Sequence, residues 1–112
     1  MKRIAILAAA ALALAAHAEF KTGNNLLSDI KGDPMDYVHG NGYVIGVYDA
    51  TQHVMHCPPP GVTAGQVVDM VRLYLEANPQ ERHRTADVLV LNVLQRAWPC
   101  QQRTQPRGGS SL

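Results

Sequence analysis

The sequence predicts an all-α fold, a small disulfide-bonded bundle of about four helices, and three observations carry that expectation. Past residue 18 the apolar residues recur at helical spacing, and no stretch shows the sustained two-residue alternation of a half-exposed strand. Stop signals at Gly32-Asp33-Pro34, at Pro58-Pro59-Pro60-Gly61 and at Asn78-Pro79 divide that pattern into segments of helix length. The only two cysteines, Cys57 and Cys100, each sit beside a proline, where a helical pattern has to stop.

The first element of the 112-residue chain is a leader. Lys2 and Arg3 make a basic start, Ile4 to Ala16 is an unbroken apolar run of 13, and Ala16-His17-Ala18 offers small residues at alternate positions. That combination reads as a secretory signal peptide over residues 1–18, removed after Ala18. As a membrane anchor the run is too short, since 13 residues make roughly 20 Å of helix against a hydrocarbon core of roughly 30 Å. No cysteine follows to accept a lipid. A basic start with an Ala-rich core suits bacterial export, so the expected location is the periplasm or outside the cell, with the periplasm preferred and no membrane association after cleavage. The remaining 94 residues hold 37 apolar ones, enough for a single small core and too few for two. They carry 8 Lys plus Arg against 9 Asp plus Glu, so net charge attracts neither nucleic acid nor anionic lipid.

Within the domain expected over residues 19–100, Asn24 or Asn25 is placed to cap a short first helix containing Leu26, Leu27 and Ile30. A second helix is expected from about Met35 to Tyr37, with an interruption at Gly40-Asn41-Gly42 that either breaks or loosens it. Its stripe continues through Val44, Val47, Tyr48 and Val54. Gly42 and Gly46, four apart, suit close approach by another helix of the same chain. Thr63 and Gln66 have the spacing of a capping box, and Val62 and Val67 that of a hydrophobic staple, so a third helix starts at Thr63. Val67, Val68, Val71, Tyr74 and Leu75 form its inward face, with Gln66, Asp69, Arg72 and Glu76 opposite. The last helix is expected over roughly Thr85 to Trp98. Its stripe of Ala86, Leu89, Val90, Val93, Leu94 and Ala97 is widened by Val88 and Leu91 almost all round, which makes it the buried centre. Residues 101–112, without an apolar residue before Leu112, read as a disordered tail.

Export also decides the cysteines. In an oxidising compartment Cys57 and Cys100 are expected to form a disulfide. It closes a 44-residue loop, for which chain entropy predicts about 4 kcal/mol of stabilisation. A metal site from His53, His56 and Cys57 would use histidines on one helical face, but a fourth ligand is not evident and the thiol is spent in the bridge. No cofactor is expected. Catalysis finds little support, and the chain reads as a non-enzyme: Ser28, Ser110 and Ser111 stand in no nucleophile motif, and His39, His53, His56 and His83 stand in no Ser-His-Asp or Cys-His pattern. Asp49 and Asp69 are the one conceivable acid pair, read as one solvated carboxylate and one bonded to nearby backbone.

Several strings in fixed order identify a resemblance. Thr22-Gly23-Asn24-Asn25-Leu26-Leu27, Gly42-Tyr43-Val44-Ile45-Gly46-Val47-Tyr48-Asp49, Cys57-Pro58 running into Gly61-Val62-Thr63-Ala64-Gly65-Gln66, Tyr74-Leu75-Glu76 before Asn78-Pro79, and Ala97-Trp98-Pro99-Cys100 together resemble the Rap and Tai immunity proteins. The resemblance spans about Phe20 to Cys100. It implies an exported all-helical protein, often a homodimer, that binds and inhibits a peptidoglycan amidase effector of type VI secretion and so protects the producing cell, in the manner of a toxin and its antitoxin. Such family members commonly carry a second cysteine pair. Here its places hold residues around Ile30-Lys31 and His39-Gly40-Asn41, which leads to the expectation of a looser first helix. The alternative function is a small periplasmic chaperone-like or stress-protective protein without enzymatic activity.

For the partner-binding surface, the candidate is Gln80-Glu81-Arg82-His83-Arg84. A cleft-blocking inhibitor needs a projecting element with donors and charges, and this segment lies between Pro79 and Thr85, each at the end of a helix. An ordinary solvated turn between helices would look the same. The mature chain is predicted to begin at Glu19, and intact-mass measurement on periplasmic material checks it: a dominant species retaining Met1 or Lys2 would remove the export argument.

Overall fold

The computed structural model describes residues 20–101; the leader cleavage site and the tail both lie outside them. Four helices follow in order, α1 (Gly23–Ile30), α2 (Pro34–Thr51), α3 (Ala64–Ala77) and α4 (Ala86–Ala97), with a short 3-10 turn, η1 (Pro79–Glu81), before the last. Among the described residues there is no strand, and the all-α bundle is as the apolar spacing predicts.

The start of α1 is set by Thr22 rather than by Asn24 or Asn25. Thr22 has extended backbone, its hydroxyl accepts from the Asn25 N–H at 3.2 Å, and the Asn25 side-chain oxygen accepts from the Thr22 N–H at 3.1 Å. Asn25 thus fills the N3 place of a reciprocal capping box, which a short amide can do as glutamine does. Lys21, just before the helix, is ion-paired to Asp29 in its last turn.

Gly32-Asp33-Pro34 both stops α1 and starts α2. The Asp33 carboxylate accepts from the N–H groups of Met35 and Asp36, each at 3.0 Å, and Pro34 occupies the first turn, where a missing N–H costs nothing. The helix then runs unbroken through Gly40-Asn41-Gly42 to Thr51, so the interruption does not occur. One glycine there is a packing requirement. Gly40 is buried, and a Cβ on it would lie 3.1 Å from both Cγ1 and the backbone nitrogen of Ile30, so α1 and α2 meet backbone to side chain at that point. Gly42 and Gly46, expected to admit another helix of the chain, instead face open space. Val54 also lies outside the helical stripe: α2 ends at Thr51, and Val54 sits in a turn with 78% of its surface exposed.

Helix α3 begins at the expected cap, with the Thr63 hydroxyl accepting from the Gln66 N–H at 3.1 Å, but the Gln66 side chain makes no return bond to the Thr63 backbone, so half of the expected capping box forms. Val67, Val68, Val71 and Leu75 are buried and Tyr74 packs half-buried against the same core. On the outer face Arg72 reaches Glu76 at 2.7 Å and Asp69 at 3.6 Å. Helix α4 buries Ala86, Leu89, Val90, Val93 and Leu94, a stripe rather than its whole circumference; Val88 and Ala97 are exposed, correcting the expectation of a helix enclosed almost all round. Asp87 and Arg96 are exposed as well, and Arg96 lies over the Tyr74 ring of α3, 5.9 Å from its centroid.

Cys57 and Cys100 are bridged, with Cα atoms 4.8 Å apart, and the Cys57 N–H donates to the Trp98 carbonyl at 2.8 Å. The bridge ties the start of the proline turn to the end of α4. Reduction, or Cys100→Ser, is expected to lower stability by about 2–5 kcal/mol in denaturant titrations. Gly42→Ala is expected to raise it by about 0.5–1 kcal/mol, because alanine removes the backbone-entropy cost of glycine in a helix and its Cβ meets nothing. A loss of stability would mean that the helix is interrupted there after all.

Candidate functional site

The segment 80–84 is held by backbone on both sides. Glu81 N–H donates to the Asn78 carbonyl at 3.0 Å and Arg84 N–H to the Glu81 carbonyl at 3.1 Å, closing successive turns. The N-terminus of α1 then grips the segment from outside. Gly23 N–H donates to the Arg84 carbonyl and Asn24 N–H to the Arg82 carbonyl, both at 2.9 Å, while Ala86 N–H donates to the Lys21 carbonyl at 2.8 Å. Two N–H groups in the first turn of α1, which no helix can satisfy internally, therefore find their acceptors in the segment. The approach is so close that a Cβ at residue 23 would fall 2.5 Å from Leu89 Cδ1 and 3.0 Å from the Arg82 backbone, which explains glycine at that position. Gly23 was the one sequence signal of this clamp.

The five side chains differ in what they offer. Gln80 and His83 are exposed. Glu81 and Arg84 are half-buried and paired to each other at 3.1 Å. Arg82 is half-buried, and its Nε is buried with no hydrogen-bond partner. The segment thus presents the exposed His83 imidazole, an exposed Gln80 amide that donates to the Asn78 side-chain oxygen at 3.3 Å, and part of a guanidinium on a fixed backbone. Sequence reasoning placed these residues together; it did not foresee that Glu81 and Arg84 satisfy one another.

A second feature lies at the C-terminal end of α2. A shallow cleft of about 180 Å³ is lined by Ile45, Tyr48, Asp49, Val62, Thr63 and Val67, and it adjoins another lined by Tyr48, His53 and the proline turn. Beside Tyr48 lies His56, fully buried, with its ring centroid 5.0 Å from the Tyr48 ring and Nε2 3.4 Å from the Tyr48 carbonyl. Burial holds its pKa below the ordinary imidazole value; the bond to the Tyr48 backbone works against that and the nearby His53 adds to it. Elsewhere, burial and the charge of Asp87 raise the phenol of Tyr43, with a backbone bond at Asp87 opposing both.

His53 and His56 do not share a helical face, since residues 53–55 form a turn, and Cys57 is oxidised; the three cannot act together as metal ligands. Among the described residues no group of three His, Cys, Asp or Glu side chains could hold a metal ion, and no helix is long and apolar enough to cross a membrane. Ser28, His39, Asp49 and Asp69 are all exposed, and Asp69 is engaged by Arg72, so Asp49 is not the backbone-bonded carboxylate expected of one of the pair. Ser110 and Ser111 lie outside the described residues.

No curated protein matches the sequence. The family model that matches it is that of the Rap1a immunity proteins, over residues 22–100, from the capping threonine of α1 to the second cysteine of the bridge.

Proposed function

The chain belongs to the Rap1a immunity protein family, and from that membership we propose that it is exported to the periplasm as residues 19–112 and there binds and inhibits a peptidoglycan amidase effector of type VI secretion. An immunity protein acts by binding a secreted effector, and that much follows from the family. The amidase as target, the periplasm as compartment and a homodimer as the acting form are the finer parts of the proposal. The observation that carries the mechanism is the clamp on residues 80–84. An inhibitor gains affinity when its binding element is ordered before contact, because the entropy of ordering is then spent in folding rather than in association. Backbone bonds from Gly23 and Asn24 to the carbonyls of Arg84 and Arg82 supply that order.

In this reading Gln80, Arg82 and His83 reach the amidase cleft, while Glu81 and Arg84 brace one another across the turn. Inhibition needs no chemistry from the protein, only exclusion of substrate, which agrees with the sparse catalytic inventory. Met35 at 65% and Val38 at 61%, the most exposed large apolar residues of α2, share the helical face of Gly42 and offer the surface for a second copy.

The test is to express, in a host periplasm, a peptidoglycan amidase encoded in the same gene neighbourhood, with the wild-type protein, with Arg82→Ala plus His83→Ala, and alone. Wild type is expected to prevent lysis. The double variant is expected to bind the purified amidase at least about tenfold more weakly, as loss of one interface anchor does. Lysis under all three conditions would reject the immunity reading; equal protection by both proteins would reject these contact residues and leave that reading in place.

A further inference from the structure

Every fully buried large side chain among the described residues is apolar except one, His56. Its surroundings form a small closed device. Val54 N–H and Met55 N–H both donate to the Thr51 carbonyl, at 3.1 and 2.8 Å, and His53 N–H donates to the carbonyl of His56 itself at 2.6 Å. Gln52 and His56 are bridged, the Gln95 side chain of α4 donates to the Met55 carbonyl at 3.1 Å, and Cys57 is fixed to Cys100. The turn is tight enough to hold His53 at φ +60°, a left-handed backbone that a residue with a side chain adopts only when its neighbours compel it. At the tip Val54 and Met55 are exposed; at the base the His56 ring is the plug.

The plug fits in one protonation state. With Nε2 donating to the Tyr48 carbonyl, Nδ1 is the lone-pair nitrogen, and it is buried without a partner. A proton added there creates a buried N–H with no acceptor and a buried charge with no counter-charge, both costly. The titratable groups facing the ring are Tyr48 from α2 and His53 from the turn, neither a carboxylate; α4 contributes the uncharged Gln95, and the exposed Asp49 makes no ion pair with His56. Nothing on the surrounding elements compensates the imidazolium.

We propose that His56 is an acid-sensitive latch: neutral, it seats the turn 52–56 against the end of α2, and protonated it leaves its site and releases that turn, while the Cys57–Cys100 bridge keeps the helices joined. The release opens the wall beside Tyr48 and frees Val54 and Met55 from their fixed geometry. The proposal stands apart from the choice of effector and from residues 80–84.

The direction in pH follows from linkage. The native imidazole sits below its ordinary value of about 6.5, and the released ring regains it, so the closed turn is favoured fully above about pH 6.5 and loses ground as the pH falls through that value toward the lowered native one. Across that window the opening equilibrium rises by about tenfold per pH unit.

The experiment uses the mature protein, oxidised and isotope-labelled, between pH 7.5 and 4.5. It reads the His56 ring resonances, the exchange protection of the Val54 and Met55 amides, and the fluorescence of Trp98, which shares a hydrogen bond with Cys57. Protection of the turn amides is expected to drop as the pH falls below about 6.5, with a change in Trp98 emission, while amides of Val71 and Leu89 in the core hold. His56→Gln, which keeps a donor for the Tyr48 carbonyl and cannot gain a proton, is expected to abolish the drop. Turn protection constant to pH 4.5 in the wild type would overturn the latch, as would core amides losing protection at the same pH as the turn, or an unchanged drop in His56→Gln. If that variant does not fold, the wild-type titration alone decides: His56 resonances that shift without the turn amides following also overturn it.

Discussion

The structure depends on a seam of backbone. Residues 21–24 and residues 82–86, some sixty positions apart, lie against one another through three N–H to carbonyl bonds, and the side-chain-free Gly23 is what lets them do so. Each consequence is local and follows from the last. The first turn of α1 finds acceptors for N–H groups that would otherwise need water. The segment before α4 loses its freedom. Helix α4 itself, whose cap Thr85 makes no side-chain bond, begins instead on the Lys21 carbonyl. A helix of eight residues has little stability of its own, since most of its hydrogen bonds lie at its ends. It persists here because its N-terminus is sewn to the bundle while Leu26, Leu27 and Ile30 are buried in the core.

The same reasoning accounts for the other end of α1. Where the resemblance to the Rap and Tai proteins puts a second cysteine pair, this chain puts Ile30 against the bare backbone of Gly40. The two places are neighbours in space. A close van der Waals contact stands where the resemblance implies a covalent link, and the ion pair between Lys21, ahead of the helix, and Asp29 in its last turn assists it. Packing of this kind depends on shape, because dispersion falls away within a fraction of an ångström.

How much could be read beforehand divides by range. Helix α3 was legible almost to the residue, because Thr63, Gln66, Val62 and Val67 signal its start within five positions and Asn78-Pro79 its end. The bridge was legible because two cysteines leave one pairing. Two glycines within three residues suggested a break in α2 that the fold does not make, since burial of Val44 and the Asp33 cap outweigh a helix-propensity cost of about 1 kcal/mol per glycine. Val54 was misplaced because helical periodicity carried on past Thr51 in the pattern while the chain turned. That same error hid His56, which on a continued helix would have been one of two histidines on a face and is instead the one fully buried polar residue among the described residues. At residues 80–84 the turn between two helices was readable, but the clamp was not, because it consists of backbone contacts that leave no trace in side-chain pattern other than Gly23.

The bridge between Cys57 and Cys100 also changes the connectivity of the molecule under load. Tension applied beyond residue 100 passes through sulfur to residue 57 and so to the end of α2, bypassing α3, η1 and α4, which hang as a closed ring of chain. A machine that unfolds proteins by drawing them in from the C-terminal end meets, at that point, two strands abreast instead of one. The half of the fold with the longest polar loop is thereby topologically shielded, and α1 and α2 are the parts that mechanical work can extend.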